Sequence, residues 1–322
     1  MIIDAATLKR RYWRRLAGAR EKKASIGPEV VAFDITNACN LTCQHCWFHS
    51  PGNPLHFKKA RFFPWEKFLE LVDDCVSLKV DEISLVGAGE PTMHPLFPKM
   101  MRHLEKQPLK VKLFTNATFP LNYCKDVIKG DHVIINLSAS NEAQYRKLQG
   151  KDLFKRVITN IERLVSLRDA QKPGFFIEIV HIVNAVNIGQ KQKMKDLAVK
   201  LGVNSIYFSR MNEHKYNQKI ALLEDALVDS GGEPKRTPPS CLNGWFYMAA
   251  KLDGSFSTCC RIPQMSLGEG SLKKLWSSGH MMNMRLLGKH GHIQKMYKAC
   301  QTCPYYDENI QRSKDLAEKK KK

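Results

Sequence analysis

Between about residues 29 and 210 the chain alternates short β-branched runs with amphipathic stretches, and this limits the folds open to it more than any other feature. The runs lie at 30–35, 82–86, 111–115, 133–137, 175–182 and 205–208, with helical candidates at 65–78, 96–104, 123–129, 142–167 and 190–201 between them. Parallel strands need a crossover of a dozen or more residues, usually a helix, so this rhythm reads as a parallel sheet of βα units. It favours an open or closed βα barrel over a sandwich.

The pattern stops at 211–240, where MNEHKYNQK and DSGGEPKRTPPS gather glycine, proline and charge as a linker does. Beyond it, 241–306 is rich in Cys, Gly and Met with one short helical candidate at 271–276, and a unit so small is expected to need a metal or another staple. The expected organisation is a basic arm at 1–28, a barrel at 29–210, the linker, a cysteine-rich unit at 241–306 and a basic tail at 307–322. With 43% hydrophobic and 25% charged residues the chain is neither disordered nor fibrous. No run approaches the roughly 18 apolar residues of a spanning helix, and the first residues lack the apolar stretch of a signal peptide. A cytoplasmic protein is expected. In a reducing compartment ten cysteines point to metal or redox chemistry rather than disulfides.

The net charge is +20, and about half of the surplus sits in residues 1–25 and 312–322. Leu8, Tyr12 and Leu16 share one helical face, with Lys9, Arg10, Arg11, Arg14 and Arg15 around it. Such a helix packs on a core or meets anionic material, nucleic acid and membrane surfaces included. The lysines at 319–322 read as a solvated end.

Directly after the first run, ITNACNLTCQHCWF places Cys39, Cys43 and Cys46 as C-x3-C-x2-C. Three thiolates on one loop suit three corners of a cubane [4Fe–4S] cluster, leaving one iron without a protein ligand. Zinc is the alternative, with His45, His49 or His56 as a fourth ligand; inert burial is the third reading. Cys75 and Cys124 fall on helical candidates and read as packing residues.

This loop, followed by LVGAGEPTMHP and LFTNAT, resembles that of the radical S-adenosylmethionine (radical SAM) enzymes, and the resemblance covers about residues 29–210. It implies a partial (β/α)6 TIM-like barrel with its site at the C-terminal ends of the strands. The family loop carries an aromatic residue or His before its third cysteine, the place of His45. Gly87, Gly89 and Glu90 are similar to the family element that binds the methionyl amino group of S-adenosylmethionine. Thr115 and Asn116 resemble its Thr-Asn-Gly, with Ala117 where glycine is usual. Ser138 matches a ribose-contacting position, and Asn184 and Asn187 are further candidates for cofactor contact. For each single polar residue, capping of a loop is the alternative. The implied chemistry is reductive cleavage of S-adenosylmethionine to a 5′-deoxyadenosyl radical, with electrons from a donor such as flavodoxin or ferredoxin.

A second set, Cys241, Cys259, Cys300 and Cys303, reads C-x12-G-x4-C and C-x2-C, a spacing that suits zinc or a second [4Fe–4S] cluster. The segment from Cys241 to Cys303 resembles the SPASM or shortened twitch domain behind many radical SAM barrels, which implies one auxiliary [4Fe–4S] cluster. Cys260 is left over, as an alternative to Cys259, a buried thiol, or a catalytic hydrogen-atom donor of the kind radical epimerases use. Trp47, His49, His181, Tyr207, Arg210 and Trp245 are candidates for the cavity wall.

The leading expectation is oxidation or epimerisation of a small sugar-like or aminocyclitol-like molecule, or of a peptide. Only some 30 residues precede the barrel, too few for the leader-binding winged helix of many peptide modifiers, which favours the small molecule. The alternatives are a radical SAM enzyme acting on RNA or a nucleotide, and a zinc-containing nucleic-acid-binding protein.

Overall fold

The computed structural model describes residues 3–318 except 52, 54–58, 211–236, 263–264, 298–299, 302 and 304. Helix α1 (Ala5–Glu21) precedes strand β1 (Val30–Asp34). Then follow α2 (Trp65–Ser77), β2 (Glu82–Val86), α3 (Phe97–Leu104), β3 (Lys110–Thr115), α4 (Cys124–Val127) and β4 (His132–Asn136). The βα region closes with α5 (Glu142–Gln149), α6 (Phe154–Gln171), β5 (Phe176–Val183), α7 (Lys191–Leu201) and β6 (Ser205–Arg210). Every expected strand is present within two residues of its expected ends. The C-terminal part adds α8 (Asn243–Phe246), β7 (Tyr247–Ala250), β8 (Phe256–Ser257), α9 (Leu272–Trp276), α10 (Gly279–Lys289), α11 (His292–Met296) and α12 (Tyr306–Glu318).

One sheet runs β6-β5-β4-β3-β2-β1-β7-β8, parallel throughout except for the antiparallel β7–β8 pair. This is the mostly parallel sheet of a partial barrel. Strand alternation divides its faces: Phe33 meets Phe68 of α2, while the opposite face pairs Lys112 with Glu82 at 2.9 Å and Ser205 with Glu178 at 2.7 Å. The apolar face and the helices make one continuous core.

The helix expected over 142–167 is two helices. Gly150 ends α5 with φ 77°, a conformation glycine adopts without steric cost, and a Cβ there would stand 2.1 Å from Thr42 Oγ1. The break therefore lets the end of α5 press against the cysteine loop.

Helix α1 packs its apolar stripe on the protein: Leu16 and Ala19 are fully buried with Leu242, Trp245 and Phe246. Its basic residues are partly spent on the fold. The buried Arg15 donates to Gly27 O (2.8 Å), Pro28 O (3.0 Å) and Asp81 Oδ2 (2.6 Å), and Arg11 donates to Asp81 Oδ1 at 2.7 Å. Arg20 donates to the carbonyls of Asp315 and Leu316.

The cysteine-rich segment has more regular structure than its single expected helix. Strand β7 lies beside β1, and Met248, Ala250, Phe256, Leu272 and Trp276 join the main core, so shared apolar burial orders the segment in addition to any staple. Met-rich α10 escaped the helical reading because its apolar residues keep no clear period. Most of the expected linker, 211–236, lies outside the described residues, as do the lysines at 319–322. The rest of the expected tail up to Glu318 is helix α12, which lies on α1, where Tyr12 Oη donates to Asp315 Oδ2 at 2.5 Å. No helix among the described residues is long and apolar enough to cross a membrane.

Candidate functional site

Cys39, Cys43 and Cys46 occupy the loop that leaves β1, and three neighbours grip that loop, two through its backbone and one through the Asn40 side chain. From the end of β2, Gly89 N–H donates to Thr36 O (3.0 Å) and Glu90 N–H to Ala38 O (2.7 Å). From α5, the carbonyls of Gln149 and Leu148 accept the N–H groups of Thr42 (3.3 Å) and Gln44 (2.8 Å), meeting the unpaired acceptors every helix C-terminus presents. From the end of β3, Asn116 Nδ2 donates to Asn40 Oδ1 at 3.1 Å, and Asn40 Nδ2 to Thr118 Oγ1 at 2.8 Å.

The thiols on this loop lie within reach of one another's charge. Burial pushes Cys39 up to about 12, with Glu90 and Cys46 adding to the rise, and Cys43 is raised by burial, then by Cys46 and Cys39. Cys46 is raised by burial and opposed by the N–H groups of His49 and Phe48, which donate to its sulfur at 3.3 and 3.4 Å. Buried, mutually repelling thiolates call for a cationic guest, and the all-thiol donor set with N–H···S support suits an iron–sulfur core. Among the described residues no three His, Cys, Asp or Glu converge as the ligands of a single metal ion.

Glu90 is the hub beside this loop. Its buried carboxylate accepts from Thr92 N (3.2 Å), Thr92 Oγ1 (2.6 Å), Thr115 Oγ1 (2.6 Å) and Asn116 N (2.7 Å). Burial raises its pKa and these four donors act against the rise. Three residues expected to meet the cofactor thus meet each other. Gly87 and Gly89 have a reason beyond ligand approach: a Cβ would stand 2.7 Å from Thr36 O at the first and 2.1 Å from Ala38 O at the second. They let the β2 loop dock on the root of the cysteine loop. Ala117 holds φ 57°, the left-handed conformation that accounts for glycine being usual there, and Asn160 Nδ2 secures the turn by donating to Ala117 O and Phe119 O.

At the next strand ends, Ser138 Oγ accepts from Ile182 N (3.0 Å) and donates to Asn136 Oδ1 (3.2 Å). Asn187 donates to Ser138 O and Ile182 O and accepts from Asn184 N, so its side chain is engaged within the fold. Asn184 accepts from Val186 N, while its buried Nδ2 lacks a protein partner and remains available to a ligand. His45 lies in the cysteine loop between Cys43 and Cys46.

Two candidates for the cavity wall lie elsewhere. Trp245 is buried beneath α1, and His181 faces the helices, with Nδ1 3.3 Å from Leu137 O, its ring on Phe208 and its pKa pushed down to about 4 by burial. Both are core residues because alternation and packing turn them from the lumen. Tyr207 is 60% exposed and Trp47 41%, whereas His49 is buried; the Arg210 side chain lies outside the described residues. Sequence reasoning missed Asn40, which ties the cysteine loop to β3, and Asp34. The Asp34 carboxyl accepts N–H groups from Ala88 (3.0 Å) and Leu252, and burial lifts it to about 6 with Asp253 adding to the rise. Its place on the lumen side of β1, opposite Phe33 in the alternation, was the available signal.

The second thiol set gathers from three places: Cys241 before α8, Cys259 after β8, and Cys300 and Cys303 before α12. Burial raises all four; Cys259 also feels Cys260, Cys241 and Cys303, and Cys303, lifted to about 11, feels Cys241 and Cys300. Cys260 is exposed, with Sγ 3.2 Å from Tyr305 Oη, and it bears on Tyr247 as well. Cys241 and Cys303 bear on Cys259, whereas Cys260 is the one of the adjacent pair that is bonded to a tyrosine, Tyr305.

Comparison with known proteins follows the same lines. Residues 33–180 match the Radical SAM superfamily. The chain is 26% identical over 214 residues to the tungsten-containing aldehyde ferredoxin oxidoreductase cofactor-modifying protein of Pyrococcus furiosus, covering 62% of this chain and 56% of that protein. It is 24% identical over 179 residues to the mycofactocin maturase MftC of Mycolicibacterium smegmatis, covering 54% and 43%. The chain therefore spans about half the length of these curated relatives. In fold it is similar to Streptococcus suis SuiB bound to S-adenosylmethionine, with a TM-score of 0.67 and 14% identity over 88% of this chain and 74% of SuiB. SuiB is also known bound to its precursor peptide SuiA.

Proposed function

Because residues 33–180 are a radical SAM domain, we propose that this protein generates a substrate radical at the Cys39/Cys43/Cys46 loop and that a second centre at Cys241, Cys259, Cys300 and Cys303 supports oxidation or epimerisation. The observation that carries the reading is the placement of two separate cysteine sets on one parallel sheet, three on the loop after β1 and four around β7, β8 and the start of α12. Bound at the first loop, a [4Fe–4S] cluster with S-adenosylmethionine supplies one-electron cleavage of the sulfonium and a 5′-deoxyadenosyl radical.

The chain's own residues position and exclude. The α5 carbonyls, the Glu90 hub and Asn40 hold the loop so that its three thiolates present one open corner. Backbone of the Gly87–Glu90 loop and Asn184 Nδ2 are the groups proposed to meet the cofactor, while Thr115, Asn116, Ser138 and Asn187 act chiefly by holding those loops in place. Cys259 is proposed as the auxiliary ligand because Cys241 and Cys303 bear on it. Cys260, exposed beside Tyr247 and Tyr305, is the proposed hydrogen-atom donor, and an epimerisation would use it. Maturation and precursor-peptide binding among the relatives support a peptide substrate, and the cofactor-modifying protein of Pyrococcus furiosus supports a small molecule. The electron donor is proposed to be a flavodoxin or ferredoxin.

The test is iron content, EPR and S-adenosylmethionine cleavage by the anaerobically reconstituted protein and its Cys39/Cys43/Cys46→Ala variant. The variant is expected to lose cleavage while iron falls from about eight to about four per chain. A variant without iron that binds one zinc would refute the two-cluster reading.

A further inference from the structure

Helix α12 starts three residues after Cys303 and returns to Cys241, so one helix closes both ends of the second thiol set. Residues on each side of Cys241 are bonded to it. Ser240 Oγ lies 2.7 Å from Ser313 Oγ, Leu242 N–H donates to the fully buried Asn309 Oδ1 at 2.7 Å, and Arg312 Nη1 donates to Asn243 Oδ1 at 3.1 Å. Asn243 in turn gives its backbone N–H to the Cys241 thiol. The Arg312 guanidinium is held from two other sides, stacked on Phe246 at 4.2 Å and 3.6 Å from Glu29 Oε2. Glu29 is the more exposed partner, 41% against 16%, so water screens it more than it screens the arginine.

The geometry points to Arg312 as a positioning residue for the auxiliary centre: it orients Asn243, and through it the Cys241 thiolate, and supplies the nearby positive charge that favours the reduced state. The inference rests on the auxiliary-centre reading. Its physical basis is general: cluster potentials respond to local charge, to hydrogen bonds on the sulfurs and to exposure, and outer-shell partners orient ligands. A guanidinium is always charged and planar, and stacking on Phe246 fixes it without a buried carboxylate to cancel it.

The experiment uses the full chain carrying Cys39/Cys43/Cys46→Ala, so that iron reports only the second site, and compares it with added Arg312→Gln or Arg312→Lys. Iron content and an EPR-monitored redox titration are read, with dithionite as reductant. Arg312→Gln is expected to keep about four irons per chain and to show a lower midpoint potential, and Arg312→Lys to recover most of the shift. Iron lost in the Gln variant but kept in the Lys variant also supports the role, since only charge and reach separate them. Four irons with an unmoved potential overturns the inference alone, as does iron lost in both variants, which would mean that Arg312 merely holds the helix. A background without iron refutes the auxiliary-centre reading and the inference with it.

Discussion

The two thiol sets are held by opposite means. The first lies within eight residues of chain, and its loop is fastened mostly through backbone groups to strand ends and to α5. The second spans 241–303 and is assembled by tertiary contacts, with α12 clasping Cys241 from the far end of the segment. A short loop bound by backbone needs only correct neighbours, whereas a dispersed set needs side chains that reach across the fold. The first site should therefore withstand surface change and fail when its hub is cut. The second should weaken in steps.

The largest effect is expected at the hub. Glu90→Ala leaves four buried donors without their acceptor, at about 3 kcal/mol or more. Denaturant titration should show a fall in midpoint with unchanged slope, together with loss of iron from the first site; a shift below about 1 kcal/mol would show that the loop does not depend on Glu90.

Asp34 links the two regions, through Ala88 of the β2 loop and Leu252 of the β7–β8 hairpin. Its folded pKa of about 6 lies above the 3.8 of an ordinary aspartate, so the native state holds more protons than the unfolded one between those values. Stability contributed by the neutral acid is present below about pH 4 and lost as pH rises through 6, on the order of 3 kcal/mol. Asp34→Asn is expected to flatten that part of the stability–pH curve, and an unchanged curve would deny the link.

The smallest effect belongs to the clasp. Asn309→Ala strands the buried Leu242 N–H, for about 1–2 kcal/mol. Iron should drop in the second site and not in the first, measured in the Cys39/Cys43/Cys46→Ala background and in the parent. Equal loss at both sites would erase the distinction drawn between them.

The strands, the thiol spacings and the GAGEP and TNAT loops were legible in the sequence because each is a property of a few neighbouring residues. Periodicity places Ile83 and Leu85 against the core, and C-x3-C-x2-C singles out its three candidate thiols without reference to the rest of the chain. Trp245, Asn40, Asp34 and α12 were not legible in that way. Whether a tryptophan lines a cavity or fills a core depends on α1, more than two hundred residues away. An asparagine between two cysteines becomes a strut only when β3 brings Asn116 and Thr118 to it.

The parallel sheet and the candidate thiols could be read directly from the chain, since local alternation and cysteine spacing survive without knowledge of contacts. That Glu90, Thr115 and Asn116 bond to one another, that Gly150 breaks a helix against Thr42, and that helix α12 becomes a clasp beside Cys241 emerged from the folded chain alone. Each of those outcomes is a pairing of groups far apart in sequence, and burial, which makes an unpaired polar group costly, selects such pairings only once the chain has folded.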